Sequence, residues 1–131
     1  MKKLIHQPDF GMFVLRVFAG AAMAIAHGLG KVPPSEGLIG GVTALGFPVP
    51  VLFAWCAALA ELVGGGLIAL GLFTRISSLF LGFTMFVAAF GAHGADPFQK
   101  QEMSLLYLAI CVFFMFAGAG SWSLDRILRK K

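Results

Sequence analysis

Charged residues are scarce in this chain, and their scarcity already excludes several classes of protein. Only 12% of the 131 residues are charged, 59% are hydrophobic, and the mean hydropathy is +0.89. Ordinary soluble domains carry about 25% charged and about 45–50% apolar residues, so this composition excludes a water-soluble globular protein. The same shortage of charge excludes a disordered chain and gives no reason to expect a nucleic-acid partner.

Cysteine, tryptophan and tyrosine are also rare. The two cysteines, Cys56 and Cys111, form no C-x-x-C motif, which excludes a disulfide-stapled module and leaves a thioredoxin-like mechanism unsupported. Phenylalanine is the dominant aromatic residue, with 14 copies against two Trp and one Tyr. We interpret this composition as that of a chain whose outer surface contacts lipid acyl chains.

Long apolar runs are what the sequence does contain. Four of them lie at about 12–30, 50–72, 76–91 and 103–118. A membrane-spanning helix needs about 20 mostly apolar residues, so four spans account for most of the chain. We therefore predict an all-α integral membrane protein, an antiparallel four-helix transmembrane bundle that forms a single domain over 1–131.

The connections between the runs refine this prediction. The second and third runs are joined only by Phe73, Thr74 and Arg75, which requires an antiparallel helical hairpin. The stretch 35–47 is too apolar for a free loop and too short to span a bilayer. We predict that it forms a short interfacial or re-entrant segment between the first and second spanning helices.

The cations are divided unevenly between the two ends of the predicted bundle. Two lie on one side, Lys31 and Lys100, and eight lie on the other: Lys2, Lys3, Arg16, Arg75, Arg126, Arg129, Lys130 and Lys131. The positive-inside tendency then places both termini in the cytoplasm of a bacterial inner membrane, with the charged tails against anionic lipid head groups.

The first 26 residues also resemble a secretory signal. Two lysines precede an apolar stretch, and Ala24, Ile25 and Ala26 have the small-x-small pattern of a cleavage site. Arg16 interrupts the apolar stretch, however, and this favours a retained membrane helix.

Ionisable residues inside the spans are the candidates for function. Glu61 lies near the centre of the second span, and a charged residue there costs about 2.5–3.5 kcal/mol on insertion scales. Ala57, Glu61, Gly65 and Ala69 form a stripe of small residues around the carboxylate, which predicts that it points into the bundle. We select Glu61 and His27 as candidates for a proton relay or a ligand contact. A purely structural role for either, such as a bond between them, stays open.

Three further residues lie towards the outer end of the predicted bundle. We assign Lys31, His93 and Glu102 to a substrate-binding entrance, with solvated or snorkelling side chains as the alternative. Arg16 and Arg75 are interpreted as anchors of helix ends on the cytoplasmic side. None of the histidines and carboxylates has the E-x-x-H or H-x-x-x-H spacing of a metal-binding helix, and no haem, flavin or nucleotide motif is present. We predict no metal, haem or flavin.

Four segments carry a resemblance to a known family: 27–31 (HGLGK), 60–65 (AELVGG), 71–75 (GLFTR) and 121–126 (SWSLDR). Their order and spacing resemble those of the DoxX family of small four-helix membrane proteins over nearly the whole chain. The resemblance implies an inner-membrane protein. It supplies no agreed catalytic set. We assign a structural role to Arg16, Arg75, Asp125 and Arg126.

The resemblance also implies a direction for function. The related DoxD proteins resemble the membrane subunit of a thiosulfate:quinone oxidoreductase, and some DoxX proteins are linked to thiol and oxidative-stress defence. We predict a membrane component of a quinone-linked redox system, with quinone as the candidate cofactor. A soluble redox enzyme or a second copy of the chain is the candidate partner. A non-catalytic scaffold and a binder or transporter of small molecules are the alternatives.

Overall fold

The structure, a computed structural model, describes residues 7–131, and the regular secondary structure in that part of the chain is all helical. Six helices follow one another: α1 Pro8–Lys31, α2 Glu36–Ala44, α3 Pro50–Leu70, α4 Thr74–Ala92, α5 Phe98–Ala117 and α6 Leu124–Arg129. Four of them, α1, α3, α4 and α5, are long and apolar enough to cross a membrane. The predicted four-helix transmembrane bundle is confirmed.

Prolines and a glycine mark several helix ends. Pro8 and Pro50 lie in the first turns of α1 and α3, where a missing N–H removes no helical hydrogen bond. Gly71, with φ of 69°, ends α3 in the left-handed conformation that is frequent at helix C-termini. α1 and α5 begin at residues 8 and 98 rather than at the expected 12 and 103, because their first turns are polar and lie outside the apolar runs.

The short helix α2 corresponds to the segment predicted between the first two spans. The Ser35 side chain caps it by accepting a hydrogen bond from the N–H of Leu38 at 3.1 Å. α2 packs against the first part of α3, and none of its residues is fully buried. It therefore covers one end of the bundle from outside the core.

Small residues allow α1 and α3 to cross closely. A Cβ atom added at Gly20 would lie 2.5 Å from the backbone nitrogen of Ala69, and one at Gly65 would lie 2.9 Å from that of Ala24. Helices in lipid associate largely through such packing, because apolar burial alone gives little advantage there. The predicted small-residue stripe of α3 thus faces α1.

The helices α4 and α5 form the other close pair. The inward face of α4 is buried at Ser78, Gly82, Met85 and Ala89. A Cβ at Gly82 would lie 3.2 Å from the Cβ of Cys111 on α5, so this cysteine fills the contact between the two helices. Cys111 is 2% exposed and acts as a packing residue.

The two ends of the bundle are different assemblies. The terminal end comprises the start of α1, the α3–α4 turn and residues 118–131, and the loop end comprises residues 31–50 and 92–98. At the terminal end, the Ser121 hydroxyl donates to the Asp9 carboxylate at 2.6 Å, which joins the two ends of the described chain. The assignment of this end to the cytoplasm stays a prediction, and Lys2 and Lys3, which contribute to it, lie outside the described residues.

α1 is displaced along the bundle axis relative to α3. Arg16 of α1 donates to the carbonyl oxygen of Ala69 near the end of α3, whereas Lys31, the last residue of α1, contacts Glu61 near the middle of α3. Gly28 packs against the backbone of Glu61 and Leu62, and α1 ends three residues later, so the part of α3 before about Ala58 extends about 12 Å past the end of α1, at about 1.5 Å per residue. α2 packs against that extension in place of α1.

Candidate functional site

Glu61 lies inside the bundle, as the stripe of small residues predicts. The residue is only 3% exposed. It belongs to a π-helical turn, Ala60–Gly64, which packs against a second π-helical turn, Met23–Gly28, in α1. Turns of this kind are rare and frequently occur at functional sites.

The partner of Glu61 is Lys31. The Lys31 ammonium donates to both carboxylate oxygens, at 2.8 Å and 2.7 Å. The Lys31 side chain is 39% exposed although Glu61 is buried, so the ammonium lies at the boundary between the interior and an open space. A buried carboxylate without a counter-charge is costly, and Lys31 supplies that charge from the end of α1.

A cavity of about 550 Å³ lies beside this ion pair at the loop end. It occupies the space between α2, α3 and α4 that lies past the end of α1. We call it the loop-end cavity, and it is lined by Lys31, Gly37, Leu38, Gly41, Val42, Leu45, Phe47, Phe53, Cys56, Ala57, Ala60, Glu61, Phe80, Phe83, Thr84, Val87, Ala88, Ala92 and His93. Its volume is within the range of about 300–1,000 Å³ that is usual for small-molecule sites.

The lining is mostly apolar, with a few polar groups. Phe47 and Phe53 contact each other on one wall, with ring centroids 5.0 Å apart. On the wall formed by α4, Phe80 and Phe83 are 63% and 59% exposed, so this side is open towards the surface that lipid would cover. Such a space suits a lipophilic molecule with a polar head group.

His93 also lines the loop-end cavity, and Glu102 does not. The Nδ1 atom of His93 lies 2.8 Å from a carboxylate oxygen of Asp96, and the Gln101 amide donates to the His93 carbonyl oxygen at 2.6 Å. These bonds fix the α4–α5 loop at the rim of the cavity. Glu102 is exposed in the first turns of α5. Of the three residues assigned to an entrance, the structure therefore brings Lys31 and His93 together around one space.

His27 is placed away from that space. Its ring contacts the ring of Tyr107 on α5 edge to face, with centroids 5.8 Å apart, and it does not line the cavity. Within residues 7–131, no hydrogen bond joins His27 to Glu61. The π-helical turn that contains His27 changes the side-chain register of α1, and Lys31 rather than His27 reaches the carboxylate. The opposite charge of Lys31, four residues after His27 on the same helix, is the sequence signal for this partner.

The residues assigned a structural role cluster at the terminal end. Arg16 is 1% exposed and donates to the carbonyl oxygens of Ile68, Ala69 and Trp122 at 2.7–2.9 Å. The position of Arg16 differs from the predicted anchor at a helix end. Three carbonyl groups of the chain supply the polar environment that lipid head groups would otherwise provide. Arg16 therefore holds α1, α3 and the chain after α5 together.

Asp125 fixes the tight turn between α3 and α4. Its two carboxylate oxygens accept hydrogen bonds from the N–H groups of Phe73 and Thr74 at 2.7 Å and 3.0 Å, and its own N–H donates to the Gly71 carbonyl oxygen at 2.8 Å. A carboxylate at this position satisfies free N–H groups at the start of α4 and favours the helix dipole. Two of the four segments that resemble the family, 71–75 and 121–126, thus contact each other through Asp125.

Neighbouring groups complete this arrangement. Arg126 donates to the Ser121 hydroxyl, which is itself bonded to Asp9. Arg75 is exposed at the start of α4.

Among the described residues, no group of three or more His, Cys, Asp and Glu side chains is arranged to hold a metal ion.

The fold and these contacts define a small four-helix membrane protein with a lateral cavity at one end. The DoxX family model matches residues 11–94, so the chain belongs to the DoxX family. It is 36% identical to an uncharacterized protein of Haemophilus influenzae over 136 residues, covering 96% of each chain. It is 33% identical to the inner membrane protein YqjF of Escherichia coli, covering 100% of this chain and 99% of YqjF.

A third relative has a name that bears on activity. The chain is 30% identical to the putative oxidoreductase CatD of Bacillus subtilis over 123 residues, which cover 93% of this chain and 90% of CatD. No solved structure shows significant similarity to the chain.

Proposed function

We propose that this protein binds a quinone in the loop-end cavity and is the membrane component of a quinone-linked redox system. The observation that carries the proposal is the position of the Lys31–Glu61 ion pair at the wall of a mostly apolar cavity of about 550 Å³. A quinone needs an apolar space for its ring and tail and polar groups at its carbonyl oxygens. The name of the relative CatD, a putative oxidoreductase, agrees with a redox role.

The residues around the cavity fit the two parts of such a ligand. Phe47, Phe53, Phe80 and Phe83 supply aromatic surface for a planar ring. Lys31 uses two of its three N–H donors on Glu61, which leaves one for a carbonyl oxygen of the ligand. The open side between the phenylalanines of α4 would admit an isoprenoid tail from the bilayer.

The ion pair also provides a means to move protons. Quinone reduction consumes two electrons and two protons, and the electrons must come from a separate donor, such as a soluble redox enzyme. The Lys31 ammonium can release a proton to the head group, and Glu61 stabilises the ammonium until it does so. His93 at the rim, bonded to Asp96, is placed to pass protons between water and Lys31.

Quinone content and binding test this proposal. The protein purified from membranes would be extracted with solvent and the quinone measured per chain, and a short-tailed quinone would be titrated into lipid-free samples. We expect close to stoichiometric quinone in the natural protein. E61Q should weaken binding about tenfold or more, because it removes the carboxylate that holds the Lys31 ammonium at the cavity wall, and hydrogen bonds to charged groups contribute about 1.5–3 kcal/mol. The matched control is E102Q, which neutralises an exposed acid near the same end and should bind normally.

A second pair of variants tests the cavity without altering charge. A57F places a ring at the wall of the cavity, and A109F places the same ring on an exposed position of α5. We expect A57F to exclude the quinone and A109F to retain it, with similar melting temperatures in detergent. A natural protein without quinone, or an A57F variant that binds as well as A109F, would overturn the proposal and favour the scaffold alternative.

A further inference from the structure

A second cavity lies at the terminal end and is surrounded by cations. It has a volume of about 160 Å³. We call it the arginine pocket, and it is lined by Arg75, Ala117, Gly118, Ala119, Gly120, Ser123, Asp125, Arg126 and Arg129. Three arginines from two parts of the chain, Arg75 of α4 and Arg126 and Arg129 of α6, therefore meet next to the end of α5.

The negative charge in this pocket is already engaged. Both oxygens of Asp125 accept backbone hydrogen bonds from the α3–α4 turn. Arg126 is held through the Ser121 hydroxyl. Arg75 and Arg129, in contrast, have no hydrogen bond or ion pair to any residue in the range 7–131. Two guanidinium groups thus face the same space with their donors available for an anion.

The backbone after α5 leaves room for one of these groups. Gly118 has φ of 76°, and a Cβ atom there would lie 3.3 Å from Nε and 3.5 Å from Nη2 of Arg75. The Arg75 guanidinium therefore lies directly over the Gly118 backbone, where a larger residue would crowd it. A planar guanidinium at this position is suited to paired hydrogen bonds with phosphate oxygens.

The surroundings of the pocket indicate which phosphate it would take. It lies where α4 begins and α5 ends, at one boundary of the spanning helices. Large apolar side chains are exposed close by in sequence: Ile76 is 57% exposed, Phe116 78% and Leu128 54%. A ligand with a phosphate in the pocket and acyl chains along these side chains would satisfy both surfaces.

We propose that the arginine pocket is a binding site for the phosphate group of an anionic phospholipid. Arg75 and Arg129 bind the phosphate oxygens, and Arg126 adds positive charge. The lipid attaches α6 to the bilayer at the end of the bundle that the cation count assigns to the cytoplasm. The site is separate from the loop-end cavity, so this proposal does not depend on quinone binding.

Lipid binding to the purified protein tests the proposal. Phosphatidylglycerol and phosphatidylcholine would be added in turn to delipidated protein, and bound lipid would be counted by native mass spectrometry. We expect one phosphatidylglycerol to bind in preference to phosphatidylcholine. R75Q/R129Q should lose about ten- to thirtyfold in affinity for phosphatidylglycerol, since each cation near an anionic lipid surface contributes about 1 kcal/mol.

The matched control is K130Q/K131Q, which removes the same amount of charge at the terminal end from residues that do not line the pocket. Equal losses in the two double variants, or no preference for phosphatidylglycerol in the natural protein, would overturn the proposal, because diffuse attraction would then suffice. A competition with inorganic phosphate separates the two sources of the anion. Tight binding of free phosphate without any preference for the lipid would also overturn the assignment to phospholipid.

The R75Q/R129Q variant should fold, because neither arginine side chain forms a hydrogen bond or an ion pair with any of residues 7–131. Should R75Q/R129Q unfold, R129Q alone tests the same contact from the exposed helix α6, with K130Q as its control. The quinone content of these variants should equal that of the natural protein, which makes failure of this proposal distinguishable from failure of the loop-end site.

Discussion

The terminal end and the loop end of the bundle use buried charge in opposite ways. At the terminal end, Arg16 donates to three carbonyl groups and Asp125 accepts from backbone N–H groups, so both charges are bonded to the backbone of the chain itself. At the loop end, Glu61 depends on the partly exposed Lys31 beside a cavity. One end is a fixed assembly of backbone contacts, whereas the other keeps a charge pair where a ligand can reach it.

The contrast between the two ends explains how such a short chain combines a stable assembly with an open site. The displacement of α1 towards the terminal end brings its start against residues 121–122, where Phe10 and Phe13 contact the Trp122 ring. The same displacement withdraws the end of α1 from the first half of α3. Close packing of α1 at one end and the larger of the two cavities at the other are therefore two results of one arrangement.

Replacement of Arg16 should have the largest effect on stability. R16M leaves the carbonyl oxygens of Ala69 and Trp122 without a donor, whereas that of Ile68 keeps its bond from the Gly71 N–H; each unpaired group costs about 1–3 kcal/mol. We expect a loss of about 3 kcal/mol or more in the free energy of unfolding, measured by denaturation in detergent. The exposed K130M is the control. A stability for R16M equal to that of K130M would contradict a structural role for this contact network.

A substitution that disrupts the close contact between α1 and α3 should have the next largest effect on stability. G20A places a methyl group against the α3 backbone near Ala69 and should cost about 2 kcal/mol, because two helix backbones must separate. G66A provides the comparison on α3, since a Cβ there meets no atom within 4 Å. It should leave stability unchanged or raise it by up to about 1 kcal/mol, as alanine favours the helix over glycine. Thermal unfolding of both variants in the same detergent separates packing from helix propensity.

Loss of the Asp125 carboxylate should have a smaller effect. D125A removes the cap of the α3–α4 turn, and we expect a loss of about 1–2 kcal/mol in unfolding free energy. Its counterpart at the loop end is D96A, which breaks the contact with His93 at the partly exposed rim and should cost less than about 1 kcal/mol. Equal losses would show that the two ends do not differ in rigidity as the contacts imply. Hydrogen exchange of the α3–α4 turn provides a local measurement beside the global one.

Much of the fold can be predicted from the sequence because lipid imposes strict requirements on the backbone. The apolar runs locate α1, α3, α4 and α5, since only helices satisfy their own hydrogen bonds within one segment. The inward face of α4 follows from residue spacing alone, from Ser78 to Ala89. The polar first turns of α1 and α5 are missed because hydropathy identifies membrane depth rather than helix ends.

The candidate site is predictable only in part. The depth of Glu61 and its small neighbours indicate a buried carboxylate, and the structure places it there. The sequence leaves a contact between Glu61 and His27 open, and the structure gives Glu61 another partner, Lys31. The π-helical turns in α1 and α3 change the residue period near Glu61 and His27. The loop-end cavity has no sequence signature, because its walls come from α2, α3 and α4, which are distant in the chain.

The sequence alone is enough to predict the membrane class of this protein, the number of spans and the family. Composition and the length of apolar runs are local properties, and the bilayer constrains them directly. Which charged side chains contact one another, in contrast, depends on the tertiary structure. The axial position of α1 relative to α3 brings Arg16 to the end of α3 and Lys31 to Glu61, and it leaves the space that α2 covers. That position results from close packing of glycines across two helices, and such packing depends on all the side chains at the contact together.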